Sequence, residues 1–358
     1  MFSRVLQISL VTRKKGCRAA VVKAKKTTIH DVAKAANVSI AAVSFALNGK
    51  GTLSQATREH IIATAEHIGY QADALARGLR RSRLGAIGIV NRSLDLLGEY
   101  FLPGIDAFDR TISTLSALAL QRGLAPVVLP DLTGASIPAI SLALDGYIIV
   151  SPQSGDPVLE LLDNREIPYA CIGFDPSQAG FRSWASEDDA ESCLQVMEHF
   201  RRQGAQHPSL LRGESENSWN VSSEQAYRTW CAAQGVQPQV HVLDESSGVA
   251  GAVGLFDKLW PQNKTDAIYA MTARHAVGIV TAALDQGVDV PGELLVATGS
   301  DSEAARFSRP AISAIQLNPN EVCADALNLL IERMEEREPS GPVLRRAKFR
   351  PRSSSLRR

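Results

Sequence analysis

The chain is poor in the features that mark most alternative classes. No apolar run in its 358 residues approaches the length of a membrane span. Its five cysteines, Cys17, Cys171, Cys193, Cys231 and Cys323, are odd in number, scattered, and form no Cys-x-x-Cys pair. That argues against a disulfide framework or a zinc site and suits a reducing compartment, the cytoplasm. Catalytic signatures are missing too. Gly85-Ala86-Ile87-Gly88 fails as a dinucleotide-binding glycine motif, and Gly213-Glu214-Ser215-Glu216-Asn217 lacks the closing glycine of a nucleophile elbow. Neither His-Glu-x-x-His nor a Walker loop occurs. Asp188-Asp189 reads as a helix start favoured by the dipole, and Gly248, Gly251 and Gly254 as a permissive helix start. An enzyme is not expected, and neither is a cofactor or a metal.

Net charge is absent overall but not locally. The formal charge is +0, yet residues 1–83 carry fifteen Lys and Arg against four Asp and Glu, about +11. The last fourteen residues, from Arg345 to Arg358, hold seven basic residues and no acid, which leaves about −18 on residues 84–344. A basic head on an acidic body suits a protein that presents one end to phosphates. Much of the basic charge lies in residues 1–26, an acid-free stretch whose short apolar runs are broken by charge. It has three readings: a basic arm, a targeting peptide, or a mis-assigned start with the true one near Val21 or Val22.

What the chain does have is concentrated between Thr28 and Leu79. Thr28 with Asp31 three residues on forms a capping-box start. Ile29, Val32, Ala33 and Ala36 follow at helical spacing and define one buried face. Asn37-Val38 makes a turn, Ser39 caps a second helix that carries Val43, Ala46 and Leu47 inward, and Asn48-Gly49 stops it. Two short helices across a tight turn are a helix-turn-helix, whose second helix enters a major groove.

The order Thr27-Thr28-Ile29-His30-Asp31-Val32-Ala33-Lys34-Ala35-Ala36-Asn37-Val38-Ser39, Ala42-Val43-Ser44, Leu47-Asn48-Gly49 resembles the signature of the lactose-repressor (LacI) family of bacterial transcriptional regulators. Ser54 to Arg58 resembles the start of that family's third helix, and Gly69 to Leu79 its hinge. The resemblance implies that Ile40, Ala41 and Phe45 face base edges. None of them can form a bidentate hydrogen bond to a base, so readout would rest on thymine methyls, on shape and on the hinge. Phe45 has a second reading, burial in the small core. Ser39, Ser44, Asn48, Ser54 and Thr57 are placed to donate to phosphates. Leu79, flanked by Arg77, Arg80, Arg81 and Arg83, matches the family's minor-groove wedge, and Asp73 can cap a short hinge helix.

After Arg83 short apolar strands alternate with helical segments. They begin with 84–90, 125–129, 146–151 and 169–173, and restart with 208–211, 239–243, 267–270 and 294–298. The expected architecture is a small all-α helix-turn-helix DNA-binding domain plus a two-lobed α/β periplasmic-binding-protein-like domain. Its divisions are a basic extension at 1–26, the head at 27–72, a hinge helix at 73–83, the effector-binding and dimerisation body at 84–350, and a basic tail at 351–358. Strand ends of two facing lobes form a cleft, and closure around a small molecule would change DNA affinity.

Candidate effector residues are Trp184, Glu187, Trp219, Glu224, Arg274 and Asp301. Glu224 stands where sugar-binding relatives carry Arg, and Thr272-Ala273 where they carry Asn-Asp, while Asp301 keeps the family's acidic position. These changes disfavour a simple hexose and leave open a cationic ligand, a hydroxyl-rich one, or none. Trp184 and Trp219 have packing as their alternative role. The expected protein is a transcriptional repressor, cytoplasmic and nucleoid-associated. Its partners would be double-stranded operator DNA, a second copy in a homodimer and a small-molecule effector, with no membrane partner. The rival reading is a periplasmic-type small-molecule binding protein without DNA function.

Overall fold

The computed structural model describes residues 27–47, 51, 53–68, 70, 83–92, 106–135, 137–262 and 265–357. The chain divides into two compact units, Met1–Arg77 and Gly78–Arg358.

In the first unit, helices α1 (Ile29–Ala35), α2 (Ile40–Leu47) and α3 (Gln55–His67) enclose a core of Val32, Ala33, Ala36, Val43, Ala46, Ile61 and Ala65. Each helix start is fixed locally. The Asp31 carboxylate accepts from the Thr28 amide at 2.8 Å and the Thr28 hydroxyl at 2.7 Å. The Ser39 hydroxyl accepts from the Ala42 amide at 3.1 Å, and Ser54 from the Thr57 amide at 3.2 Å. Between α1 and α2 the chain reverses through Asn37 at φ +54°, a conformation asparagine tolerates well.

The second unit holds two six-stranded sheets. The first lobe is built from β1 (Ala86–Asn91), β2 (Ala125–Leu129), β3 (Gly146–Val150), β4 (Tyr169–Ile172), β5 (Trp184–Glu187) and β11 (Val343–Arg345). All its pairings are parallel, in the order β11-β5-β4-β3-β1-β2. Its central strands are buried on both faces, which is why they read as unbroken apolar runs. Helices α4 (Asp106–Gln121) and α11 (Pro319–Met334) cover one face, and α5 (Pro157–Asn164) covers the other.

The second lobe has β6 (Pro208–Arg212), β7 (Val240–Val242), β8 (Ala267–Ala270), β9 (Leu295–Thr298), β10 (Ser313–Gln316) and an antiparallel edge strand, β12 (Lys348–Arg350). Helices α6 (Asp189–Arg202) and α7 (Ser218–Gln234) pack on one face, with α8 (Gly248–Leu259) and α9 (Ala273–Asp285) on the other. The glycine-spaced helix start at 248–254 is confirmed as α8. The close approach, however, is made by Gly278 of α9, where an added Cβ would stand 2.5 Å from the Val249 carbonyl oxygen. A short helix, α10 (Glu303–Phe307), follows β9. The chain crosses between lobes after β5, after β10 and between β11 and β12.

Two sequence expectations need correction. The stretch from residue 351, read as a basic tail, is built into the second lobe. Ser354 and Ser355 are fully buried, and the Val296 amide donates to the Ser354 carbonyl at 2.9 Å. Its arginines are engaged within the lobe: Arg357 Nε reaches the Pro291 carbonyl at 3.1 Å and its Nη1 the Gln203 carbonyl at 3.1 Å, while Arg352 pairs with Asp301. Strands β5, β10, β11 and β12 were also not foreseen among the apolar runs.

Candidate DNA-binding head and inter-lobe cavity

On α2, Ile40 is 42% and Phe45 46% exposed, and Ala41 is exposed as well. With the partly exposed Ser44 they form one face at i, i+1, i+4 and i+5. The burial reading for Phe45 is therefore set aside. Its ring edge instead rests on the backbone of Gly51, which has φ +80° and where a Cβ would approach the ring to 3.0 Å. The face carries no charged side chain, so it offers methyl and ring contacts rather than base hydrogen bonds. Beside it the Ser54 and Thr57 hydroxyls lie 2.7 Å apart, both at or near the surface. Ser39 is exposed at the start of α2. Asn48, Arg77 and Leu79, with the hinge from 73 to 82, lie outside the described residues.

Sequence reasoning missed Arg58. Its Nη1 donates to the carbonyls of Phe45 and Ala46, both at 3.2 Å, and so closes the C-terminus of α2. A cation there complements the helix dipole. The spacing could have shown only that α3 begins nearby, not that its side chains reach back.

In the second unit the two lobes meet at the carboxyl ends of their strands. The loop after β3 joins the start of α7: Gln153 bridges Asn217, and the Ser154 amide donates to the Glu216 carbonyl at 2.9 Å. The Phe174 amide donates to Ser218 Oγ at 3.2 Å. A cavity of about 60 Å³ lies where the lobes connect. Arg110 and Thr111 of α4, Ile172 and Glu187 line it from one side. Asp301, Leu317, Pro319, Val322 and Cys323 complete the wall.

Of the six candidate effector residues, Glu187 and Asp301 come together in this cavity. Glu187 accepts the Asn318 amide at 3.2 Å, and burial raises its carboxyl pKa against that hydrogen bond. Asp301 is paired through Oδ2 with Arg352 at 2.9 Å and Arg306 at 3.3 Å. The other four are engaged elsewhere. Glu224 is held by Arg212 at 2.6 Å and Arg228 at 2.7 Å. Arg274 donates to the Glu245 carbonyl at 2.7 Å. Trp184 rests on Phe174 with ring centres 4.6 Å apart and donates to the Phe181 carbonyl at 3.0 Å. Trp219 packs on the second lobe's core. Cys323 is no nucleophile: burial pushes its thiol up to about 12.

Comparison with known proteins agrees with this geometry. Residues 28–73 match the model of bacterial regulatory proteins of the lacI family, and 197–355 match a periplasmic binding protein-like domain. The chain belongs to the lacI family. Catabolite control protein A of Staphylococcus xylosus is 24% identical over 327 residues, 88% of this chain and 94% of that one. The HTH-type transcriptional regulator pepR1 of Lactobacillus delbrueckii subsp. lactis is 24% identical over 319 residues, covering 86% and 91%. Among solved structures, the lac repressor dimer bound to operator and an anti-inducer superposes with a TM-score of 0.76 at 18% identity, over 93% of this chain and 100% of that one. The regulator CelR in complex with cellobiose gives 0.64 at 20% identity, over 92% and 99%. The lacI family is one of regulators rather than enzymes. No helix among the described residues is long and apolar enough to cross a membrane.

Proposed function

We propose that this chain is a transcriptional repressor that binds a pseudo-palindromic operator as a homodimer and whose operator affinity is set by a small molecule between its two lobes. The carrying observation is the exposed face of Ile40, Ala41, Ser44 and Phe45 on the second helix of a lacI-type head. Solvent exposure of isoleucine and phenylalanine is unfavourable in a free domain, and a groove lined with thymine methyls would cover both. The lac repressor, dimeric on its operator, and CelR with its cellobiose support the same reading for this fold.

In this reading residues 27–72 form the head, 73–83 the hinge helix, and 84 onward the effector-binding and dimerising body. Ser39, Ser44, Asn48, Ser54 and Thr57 position the phosphates. Arg77 and Leu79 act at the minor groove. Glu187 and Asp301 face the effector.

The test is selection of binding sites from random duplex DNA with the purified full chain. Enrichment of a two-fold-related sequence, with affinity falling steeply as salt rises, is the expected result. Equal binding to every duplex would overturn the proposal.

A further inference from the structure

We infer that the head reads the C5 methyl group itself in the major groove, so that 5-methylcytosine serves it as thymine does and operator affinity rises where a contacted cytosine carries that methyl. This rests on the reading of the chain as an operator-binding regulator and names the chemistry its head recognises.

The exposed face of α2 is matched to methyls and to little else. A base pair shows the major groove a row of hydrogen-bond donors and acceptors, and thymine adds a methyl on C5. Ile40, Ala41 and Phe45 are exposed and hold no side-chain donor or acceptor. Ser44, the fourth member of the face, has a hydroxyl that donates and accepts alike, so it does not separate the O4 acceptor of thymine from the N4 donor of cytosine. Such a surface responds to the methyl and is nearly blind to the polar edge beside it. 5-Methylcytosine carries the same methyl on the same ring carbon. Uracil keeps the polar edge of thymine and lacks the methyl.

Two long polar side chains at the start of α3, which could otherwise reach a base edge, are engaged within the head. Arg58 donates to the carbonyls of Phe45 and Ala46, and Gln55 Nε2 donates to Glu59 at 2.8 Å.

Phe45 is also held ready. An added Cβ on Gly51 would stand 3.0 Å from two carbons of the ring, so the glycine leaves the ring its seat. The φ of +80° at Gly51 is one that other residues adopt only with strain. A ring steadied in advance loses little rotamer freedom when it meets a methyl. Covering one methyl contributes about fourfold in affinity, and a symmetric pair, one in each half-site, about 15-fold.

The experiment measures Kd of the full chain, at one salt concentration, for synthetic duplexes built on the operator that random-duplex selection returns. Thymines are replaced by uracil one symmetric pair at a time. Wherever uracil weakens binding, thymine·adenine is replaced by cytosine·guanine and by 5-methylcytosine·guanine. The expected result is at least one pair at which uracil and cytosine each weaken binding about 15-fold while 5-methylcytosine stays within about threefold of thymine. Phe45→Ala or Ile40→Ala, each first matched to the wild type by circular dichroism, should bring the thymine-to-uracil ratio at that pair within about twofold. Should a variant bind too weakly to measure, the wild-type series decides. Uracil tolerated at every pair, or 5-methylcytosine no better than cytosine wherever uracil costs affinity, would overturn the inference and leave the regulator reading standing. Methyl sensitivity retained by both variants would put the reader elsewhere and overturn it too. A selection that returns no operator would count against the regulator reading, and this inference would fall with it.

Discussion

His275, the third residue of α9, has no exposed surface. Burial, with Arg274 beside it, pushes its pKa down to about 4 against the opposing influence of Asp244. The folded state therefore resists a proton that the unfolded chain takes up near pH 6.5. Stability from the neutral ring is complete above that value and drains away as pH falls toward 4. Between pH 7 and pH 4.5 the loss is about 2–3 kcal/mol from this residue. Thermal melts of His275→Leu should show a shallower decline over the same interval, whereas an identical decline would remove His275 as its source. At Arg58 the expected effect is smaller and local. Arg58→Met uncaps α2 and should cost about 0.5–2 kcal/mol, read as a lower melting temperature of the head with the body's transition unmoved.

At the scale of elements, the loop between β3 and α5 is heavily anchored at the cleft. Arg92, with a side chain 8% exposed, donates from Nε to both oxygens of the fully buried Asp156 at 3.1 and 2.9 Å and pairs with Asp131 at 2.8 Å. Asp156 also accepts the amides of Gln153 and Val158, and Asp175 those of Gly155 and Asp156. Arg92→Met would leave the buried Asp156 without its counter-charge and should cost about 3–5 kcal/mol. Hydrogen exchange at Ser154, whose amide reaches the second lobe, should accelerate in parallel, and unchanged exchange would show that the loop holds itself.

The sequence announced some elements and hid others for physical reasons. The head was legible because its caps and its spacing of Val32, Ala33 and Ala36 are local. The central strands were legible because burial on both faces makes them uniformly apolar. Trp184-Ala185-Ser186-Glu187 and Lys348-Phe349-Arg350 were not, since both strands are short and half or more of their residues are polar. The cavity escaped because its walls come from stretches more than 100 residues apart, joined by crossovers that no local pattern reports. Glu224 and Arg274 were singled out by position alone, and position does not reveal Arg212 or the Glu245 carbonyl.

For the molecule as a whole, removal of residues 1–83 should leave a folded body, since β1 and its pairing with β2 and β3 lie beyond that point. The truncated form is expected to keep its main melting transition and to lose operator binding; retained site-specific binding would contradict the assignment of DNA contacts to the head. Leu79→Ala in the full chain should weaken operator binding far more than binding to random duplex, because only a kinked site rewards a wedge. Equal loss on both would leave Leu79 as part of an ordinary linker.

The three crossovers also bear on how the body is made. A ribosome finishes nearly all of the second lobe before it polymerises α11, whose Val322, Ala326, Leu327 and Leu330 close over Ile87, Ile148 and Ala170. The lobe encoded earlier therefore matures later, and its greasy flank stays half dressed for some 150 codons of translation. Premature termination anywhere between residues 188 and 319 would release that flank uncovered, a product suited to chaperone capture or proteolysis rather than to partial function.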